Sequence, residues 1–416
     1  MIRFNLISLL MQPLMIKKAC VLMLPIFVLC ACQTKELTTL LVTETAGIGR
    51  DLEYITVALN AGEISPVSLR EAEKESGLIA GQLLKAKKDS SGKFLLEYIF
   101  PVTVGAHESK KFEIVFLEGD PPQEGLITHG TGLELKLENT HFIADLTSTK
   151  ATAENGLEPG QVAGLVLKQF NNQLLERSHI DMHWAPSFRK EGLSYKTLGH
   201  VRPDSVFVNS EGPYLSTIFR KGNVKQYEEI CVTGTYQFFA GLPYFTFSSE
   251  MLMEDDVALT LLRNDEMTMD SLFTHLMFPG DNGEIREIEL YASNTIEDLD
   301  RDRIPDDVNW LCFYHTDLKY ALGSIRIAYD NTNMNGGQSP TFQKHTKISA
   351  GVNGGRYWNR RLIHEEKTLV PKGSRYIEKN AYLVFAVNSK DPSAQIRDYF
   401  QRISNPLKVT LFGLQH

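Results

Sequence analysis

The chain has 416 residues, of which 43% are hydrophobic, enough for one large domain or two smaller ones. Its formal net charge is -8, and it contains no run of four or more Lys or Arg residues. Because nucleic-acid-binding surfaces are normally basic, this composition argues against a nucleic-acid partner. The sequence also lacks a P-loop, a G-x-G-x-x-G fingerprint, an H-E-x-x-H motif and a G-x-S-x-G elbow. Nucleotide binding and serine-hydrolase chemistry therefore have no support.

The N-terminal region has the pattern of a secretion signal. Residues 15–18 (MIKK) are basic, and residues 19–29 form an apolar run that is too short to span a bilayer. The run ends in Leu-Cys-Ala-Cys, which resembles the lipobox of bacterial lipoproteins. The resemblance implies that translation starts at Met15 and that cleavage before Cys32 leaves this cysteine, carrying the lipid, as the new N-terminus. The alternatives are an ordinary signal peptide or a buried helix.

A lipidated Cys32 implies a protein of the bacterial cell envelope, lipid-anchored at the outer membrane. Residues 33–39 would form a short polar tether. After the signal, Cys231 and Cys312 are the remaining cysteines. They can pair in an oxidising compartment, or they can be two buried thiols.

Residues 40–125 predict an N-terminal β-sandwich. Residues 94–100 and 111–116 are strand-like runs bounded by turn residues, whereas residues 68–88 are ambiguous between helix and strand. The block is similar, over about 80 residues, to the N-terminal β-domain of YetA-like rhamnogalacturonan lyases. The matching positions are Gly47, Arg50, Glu53, Tyr54, Gly77, Ile79 and Gln82. The resemblance implies a β-sandwich and brings no catalytic residues with it.

Residues 126–416 predict a larger all-β domain, separated from the first by a Gly/Pro-rich boundary at residues 119–132. Short strands recur throughout, and Gly222-Asn223 has the composition of a hairpin turn. One late C-terminal helix is predicted, with Asp391 as its cap and Ile396, Tyr399, Phe400 and Ile403 on its apolar face. The block resembles the galactose-mutarotase type of β-supersandwich, so the expected fold class is an all-β sandwich.

Candidate catalytic residues lie in the aromatic stretch from residue 236 to 278 and near residue 183. A lyase of acidic glycans needs a base, for which His183 or His275 is suitable, and a cation to oppose the uronate carboxylate, such as Arg263. A hydrolase would need two carboxylates about 5–9.5 Å apart. Local candidates are Asp265, Glu266 and Asp270, but adjacent Asp265 and Glu266 point to opposite faces of a strand. The alternative is a hairpin turn with solvated charges and a core histidine.

Candidate sugar-binding residues form two further groups. Trp184 lies beside His183, with His179 and His200 nearby in sequence, and an indole ring can stack on a pyranose. Residues 353–361 interleave aromatic and arginine side chains, which suits an anionic sugar. The residues predicted to bind are Trp184, His200, Arg356, Tyr357, Trp358 and Arg360. The alternatives are a core tryptophan in the first group and a turn followed by a half-exposed strand in the second.

Asp298, Asp300, Asp302 and Asp306 resemble the acidic loop of thrombospondin type 3 calcium repeats. Alternating aspartates can converge on Ca²⁺, which takes six to eight oxygen ligands. Here Arg303 replaces the glycine that makes the sharp turn. The alternative is a solvated acidic loop without metal.

These observations predict a lipid-anchored envelope protein that acts on or binds a polysaccharide or oligosaccharide. If it is an enzyme, a lyase is favoured over a hydrolase. The alternatives are a non-catalytic carbohydrate-binding or structural lipoprotein, and an envelope scaffold that binds protein partners. The enzyme hypothesis requires that one concave face of the folded protein is lined by His183, Arg263, His275 and Arg356.

Overall fold

The computed structural model describes residues 38–72, 77–120, 125–176, 182–210, 212–351 and 354–413. Within these ranges the named strands pair in antiparallel ladders, so the predicted all-β sandwich class is confirmed. No helix in the described part of the chain is long and apolar enough to cross a bilayer. The predicted signal, Cys32 and residues 33–37 of the tether lie outside these ranges, as do His179 and Asn353.

Two sheets build the N-terminal part. The first has the order β27-β1-β7-β3-β4, and the second has the order β2-β6-β5. Their bounds are β1 Thr39–Thr43, β2 Arg50–Ala61, β3 Ser68–Glu71, β4 Ile79–Ala80, β5 Gln82–Lys88, β6 Phe94–Val104, β7 Ser109–Val115 and β27 Lys408–Phe412. The ambiguous segment at residues 68–88 is therefore a set of strands.

Alternation along the strands creates the N-terminal core. In β6, Leu96, Tyr98, Phe100 and Val102 all point inward and are buried. The core also receives Leu407 and Leu411 from the C-terminal end of the chain, because β27 pairs with β1. The N-terminal sandwich thus contains residues from both ends of the described chain, which the prediction of two consecutive domains did not include.

Three sheets share one large core in the remaining described residues. Their orders are β12-β11-β10-β9-β8, β14-β13-β19-β25-β24 and β15-β16-β17-β18-β26-β23-β22-β20-β21. The first sheet comprises β8 Ile127–Thr131, β9 Glu134–Glu138, β10 Phe142–Asp145, β11 Gly164–Leu167 and β12 Gln173–Glu176. The second comprises β13 Ser187–Arg189, β14 Lys196–Thr197, β19 Val257–Asp270, β24 His345–Ala350 and β25 Arg356–Val370. The third comprises β15 Ser205–Asn209, β16 Leu215–Val224, β17 Tyr227–Phe239, β18 Tyr244–Met253, β20 His275–Pro279, β21 Ile285–Glu289, β22 Trp310–Tyr314, β23 Tyr320–Asp330 and β26 Arg375–Ala386.

The helices are short, and they are α1 Lys150–Glu154, α2 Thr295–Arg301 and α3 Ala394–Ser404, with a 3-10 turn at Leu198–His200. The predicted late helix is α3. Its cap is not Asp391 but Ser393, whose backbone N–H donates to the Asp391 carboxylate over 3.1 Å. Helices α1 and α2 were not predicted.

The predicted hairpin turn at Gly222-Asn223 is wrong. Both residues lie inside β16, which continues to Val224 and pairs there with β17. The chain turns at Lys225-Gln226 instead, where Gln226 has a φ of 74°. Asn223 still contributes to this turn, because its side-chain amide donates to the Glu228 carbonyl over 2.9 Å. The turn-forming residue is thus close to the turn but lies within the strand.

Candidate functional site

Strand β19 organises the site. It pairs with β25 on one side and with β13 on the other, and its register against β25 shifts between Leu262 and Asp265. Past this irregularity, Asp265 and Glu266 point to opposite faces of the sheet and enter separate hydrogen-bond networks. The sequence-based expectation that these two carboxylates cannot share one cleft is therefore confirmed.

On the inner face, Asp265 belongs to a fully buried polar network. His183 Nε2 lies 3.2 Å from Asp265 Oδ1, and the Tyr382 hydroxyl donates to the same oxygen. The other ring nitrogen of His183, Nδ1, lies 2.5 Å from the Tyr236 hydroxyl. Burial, followed by the charge of Asp265, raises the pKa of Tyr382 well above its ordinary value. The histidine is thus enclosed by aromatic rings and held at both nitrogens.

The same network extends to a buried ionic cluster. Asn380 Nδ2 donates to Asp265 Oδ2 over 2.7 Å and to Glu378 Oε1 over 3.2 Å. The Glu378 carboxylate faces Arg326 Nε at 3.1 Å and Arg360 Nε at 3.3 Å. Burial, together with the charge of Arg326, lowers the pKa of Arg360 to about 10. A single carboxylate therefore compensates two buried guanidinium groups, which ties β26, β23 and β25 together.

On the outer face, Glu266 is the centre of a second network. Its Oε1 accepts from Arg263 Nη1 over 2.6 Å, and its Oε2 accepts from the Tyr195 hydroxyl over 2.6 Å and from Ser187 Oγ over 3.2 Å. Burial opposes the charge on Arg263, but the Glu266 carboxylate outweighs it, and the arginine pKa is raised. Burial and the charge of Glu266 raise the pKa of Tyr195. The tyrosine is therefore a hydrogen-bond donor, and not a base, near neutral pH.

This outer network lies at a pocket of about 290 Å³. Its lining combines aromatic rings with the Arg263–Glu266 pair, and consists of Trp184, Arg189, Tyr195, Leu261, Arg263, Glu266, Thr268, Ala350, Gly351 and Tyr357. The volume lies at the lower end of the range for small-molecule sites, about 300–1,000 Å³. The pocket is therefore large enough for one sugar-sized ligand.

Three polar atoms of the pocket residues are buried and unpartnered. Trp184 Nε1, Arg263 Nε and Thr268 Oγ1 have no hydrogen-bond partner among the described residues. Buried polar groups are normally satisfied, so such orphans call for a partner that a ligand or water can supply. The backbone N–H of Trp184 donates to the Glu266 carbonyl over 3.1 Å, which fixes the indole beside β19.

The pocket carries an excess of positive charge. Arg263 is neutralised by Glu266, whereas Arg189 contacts the neutral Thr260 hydroxyl at 3.3 Å and no carboxylate among the described residues. Arg361 lies opposite Arg263 in the strand register, but it is not part of the pocket lining and its guanidinium lies 3.4 Å from the Glu365 carboxylate. On a chain of net charge -8, the pocket is a local cationic site. Its electrostatics suit an anionic ligand.

The predicted site residues separate into two groups. Trp184, Arg263, Glu266 and Tyr357 line the pocket. The others do not, and they are His183, His200, His275, Arg356, Trp358 and Arg360. Among the described residues that line the pocket, sequence reasoning missed Arg189 and Tyr195, because they come from β13 and from the loop before β14, where no local pattern marks a site.

Burial explains most of the corrections. His183 and Arg360 are fully buried, and Trp358 packs in the core against Phe313 with ring centroids 6.4 Å apart. These side chains cannot reach a polymeric ligand. His200 belongs to the 3-10 turn, where its ring accepts from the Thr197 backbone N–H over 3.2 Å.

His275 and Arg356 lie in other surroundings. His275 contacts the Thr274 hydroxyl at 2.9 Å, and its ring packs on Tyr314. Arg356 donates to the Leu290 carbonyl over 3.0 Å and covers the ring of Tyr291. The four residues that the enzyme hypothesis placed on one concave face therefore do not share one, and Arg263 alone among them lines the pocket.

The four aspartates of the predicted calcium loop do not converge. Asp298 and Asp300 lie in α2, and each carboxylate of the set contacts a different cation: Asp298–Arg301, Asp300–Lys347, Asp302–Arg286 and Asp306–Lys344. No group of three or more His, Cys, Asp or Glu side chains in the described part of the chain is arranged to hold a metal ion. Because Asp298 and Asp300 lie in a helix and not in a loop, the four carboxylates do not form the calcium-binding loop that the resemblance implied.

Cys231 and Cys312 are free and buried. Of the two alternatives that the sequence left open, the structure contains buried thiols and not a disulfide.

Comparison with known proteins identifies the architecture. No protein-family model and no curated protein sequence matches this chain. Among solved structures, a protein in glycosyl hydrolase family 38 from Enterococcus faecalis matches 91% of this chain with a TM-score of 0.57 and 9% sequence identity. An alpha-mannosidase from Enterococcus faecalis V583 matches 91% of the chain with a TM-score of 0.56 and 8% identity. This chain covers 48% and 46% of those two proteins, so the shared fold spans about half of their length.

Proposed function

We propose that this protein binds an anionic sugar in the pocket beside β19, and that it does so as a lipid-anchored protein of a bacterial envelope. The observation that carries the binding proposal is the lining of the pocket. An indole, two phenol rings and an arginine without a carboxylate partner among the described residues line one sugar-sized space, and three of the lining residues carry a buried polar atom without a hydrogen-bond partner. The two solved structures compared above are named as a glycosyl hydrolase family 38 protein and an alpha-mannosidase, which supports a carbohydrate ligand.

Each part of the pocket has a role in recognition. The rings of Trp184 and Tyr357 offer flat apolar faces to a pyranose. Arg189 and Arg263 attract a carboxylate or sulfate group, since a guanidinium offers a two-pronged donor. Glu266 keeps Arg263 and Tyr195 in place through its three hydrogen bonds.

Binding without catalysis fits the geometry better than the lyase reaction. A lyase base must reach the proton next to the uronate carboxyl group, but His183 is fully buried and His275 lies outside the pocket. Tyr195, whose hydroxyl donates to Glu266 in the pocket, has a raised pKa. A two-carboxylate hydrolase mechanism also lacks support, because Glu266 is the one acid among the described pocket residues.

The test is calorimetric titration of galacturonate and glucuronate oligosaccharides, with galactose oligosaccharides as the neutral comparison. We expect uronates to bind, and Arg189→Gln to weaken their binding about ten- to a hundredfold, as expected for a lost charged hydrogen bond of about 1.5–3 kcal/mol. The matched control is Arg202→Gln, at an exposed arginine away from the pocket, which should leave binding unchanged. Equal affinities for the wild type and both variants would contradict the proposal.

The aromatic contribution has its own pair of variants. Trp184→Ala should abolish measurable binding, whereas Tyr291→Ala removes an exposed aromatic side chain outside the pocket and should have no effect. Absorbance of an unsaturated uronate product, measured in the same samples, tests the lyase alternative. If product forms with the wild type and is lost in Glu266→Gln, the protein is an enzyme and the binding-only reading is wrong.

The lipid anchor is tested separately. Expression in a bacterial host fed with labelled palmitate should label the wild type and not Cys32→Ser. Membrane fractions should retain the wild type after a salt wash, because a lipid anchor is not electrostatic. An unlabelled wild-type chain that is released as a soluble protein would refute the anchor and leave the pocket proposal standing.

A further inference from the structure

One end of the N-terminal sheet is marked by the start of β1. Its first residue, Thr39, is level with Glu113 of β7 and with Phe412 of β27. Because these strands are antiparallel to β1, the beginning of β1 and the ends of β7 and β27 meet at the same end of the sheet. The chain enters the sheet here through Thr38, whose carbonyl accepts from the Ile114 N–H over 3.0 Å.

Large apolar side chains are exposed at this end. Phe412 is 52% exposed, and Phe116 and Leu117, which directly follow β7, are 43% and 56% exposed. Strand β3 begins at Ser68, opposite Val115, and Ile64 precedes it by four residues with 52% exposure. We call Ile64, Phe116, Leu117 and Phe412 the apolar rim. Such a cluster is an interaction surface more often than a scattered exposed residue is.

The segment after β7 is held against β3, and the cavity next to the apolar rim is lined largely by apolar residues. Ser68 Oγ donates to the Leu117 carbonyl over 2.7 Å, which holds the segment after β7 against β3. A cavity of about 690 Å³ opens beside Ile64 and is lined by Val67, Leu83 and Tyr98 among others. Glu118, which is exposed, is one of the residues that line this cavity, and the exposed Glu63 directly precedes Ile64. An anionic partner surface would be repelled by these acids, so the apolar rim must bind by its apolar contacts.

The tether limits how far this end can lie from a lipid anchor. From Cys32 to Thr38 there are six residues. A fully extended chain spans about 3.3–3.6 Å per residue, so the anchor lies within about 20 Å of Thr38. The apolar rim is at the end of the sheet where Thr38 enters, and it is therefore within reach of the bilayer that holds the anchor.

We infer that the apolar rim inserts into the interfacial layer of the bilayer and forms a second, non-covalent attachment. This inference rests on the lipid anchor proposed above. Two attachment points fix the orientation of the body, whereas a single flexible tether does not. Because the contact is apolar, it should persist at high salt and should not require anionic lipids.

The test measures the depth of a fluorescent label in vesicles. Leu117→Cys carries a polarity-sensitive dye, and the protein is bound to phosphatidylcholine vesicles containing a nitroxide-labelled lipid. Native Cys231 and Cys312 are buried and do not compete for the dye. The matched control is Met334→Cys, at a 70% exposed position outside the apolar rim. We expect the dye at position 117 to be quenched several-fold more than the dye at position 334.

The test uses two preparations, so that its failure is distinct from failure of the anchor. One is the full chain as the host processes it. The other begins at Gln33, directly after the anchor cysteine, retains every described residue, and is held on nickel-chelating lipids by an N-terminal hexahistidine tag. If palmitate labelling fails but the tagged protein still shows selective quenching at position 117, the anchor is wrong and the apolar rim still binds a bilayer.

Other outcomes overturn the inference. Equal quenching at positions 117 and 334 on tethered protein would show that the apolar rim does not enter the bilayer. Concentration-dependent dimerisation without lipid, abolished by Phe116→Ser and Leu117→Ser, would assign the apolar rim to a second copy of the chain instead. Both serine substitutions are at exposed positions, and circular dichroism would verify that the fold is retained.

Discussion

Replacing Glu378 by Gln tests the buried ionic cluster. The Glu378 carboxylate is fully buried and contacts Arg326 Nε at 3.1 Å and Arg360 Nε at 3.3 Å. It also accepts from Asn380 Nδ2 over 3.2 Å. The substitution keeps the size of the side chain and removes the negative charge, so two buried guanidinium groups lose the carboxylate that compensates them.

The expected cost is large because the charges left behind are desolvated. Removing one partner of a buried ion pair typically costs about 3–5 kcal/mol of unfolding free energy. The matched control is Glu365→Gln, whose carboxylate side chain is 66% exposed and lies 3.4 Å from Arg361 Nη1. Arg361 is largely buried, but the Glu365 carboxylate is solvated and screened, so the same chemical change should cost only about 0–1 kcal/mol there.

Urea unfolding followed by tryptophan fluorescence measures both variants, with the slope of each transition compared to the wild type. We expect the midpoint of Glu378→Gln to fall clearly below that of Glu365→Gln with an unchanged slope. The contribution of an exposed ion pair is at most about 1 kcal/mol. If the unfolding free energies of the two variants differ by less than this amount, the cluster does not stabilise the fold as argued.

Three further predictions follow from burial and pairing. Burial, with the charge of Lys196, lowers the pKa of His200 to about 4, so the unfolded chain binds more protons between about pH 6.5 and pH 4. Unfolding free energy should therefore fall as pH falls through this window, and by less in His200→Gln; an equal fall in both would contradict this. Because Asp300 and its neighbours contact separate cations, millimolar Ca²⁺ should not raise the melting temperature, and a rise that Asp300→Asn removes would restore the calcium site. Cys231 and Cys312 should react with a thiol reagent only after unfolding, and the absence of reactive thiols in the unfolded, unreduced chain would indicate a disulfide.

Strand patterns were predictable where one face of the sheet is buried. The apolar runs at residues 94–100 and 111–116 were predicted as strands; the first lies within β6, and the second coincides with β7 up to its end at Val115. The opposite directions of Asp265 and Glu266 follow from the same period of two. Part of the pocket could therefore be predicted from β19 alone.

The failures arise where tertiary contacts decide the environment of a residue. Trp358 and Arg360 look like half-exposed ligand-binding residues because they alternate with polar neighbours. In the structure β25 is an interior strand of its sheet, between β19 and β24, and Glu378 on a distant strand compensates the Arg360 charge. The partner that makes an arginine a core residue cannot be identified from local sequence. Tyr195 was missed for the converse reason, since its partner Glu266 lies 71 positions away.

The two faces of β19 separate stability from binding. The inner face connects Asp265 to His183, Tyr382 and, through Asn380, to the ionic cluster. The outer face presents Glu266 to the pocket, where Arg263 and Tyr195 depend on it. Changes at the inner network should lower the free energy of unfolding while leaving ligand affinity intact in the folded fraction. A pocket residue that supports no core contact, such as Arg189, should show the reverse. Since adjacent carboxylates serve the two networks, a shift of β19 by one residue would exchange them, and the register irregularity beside Asp265 is therefore a feature on which both the fold and the pocket depend.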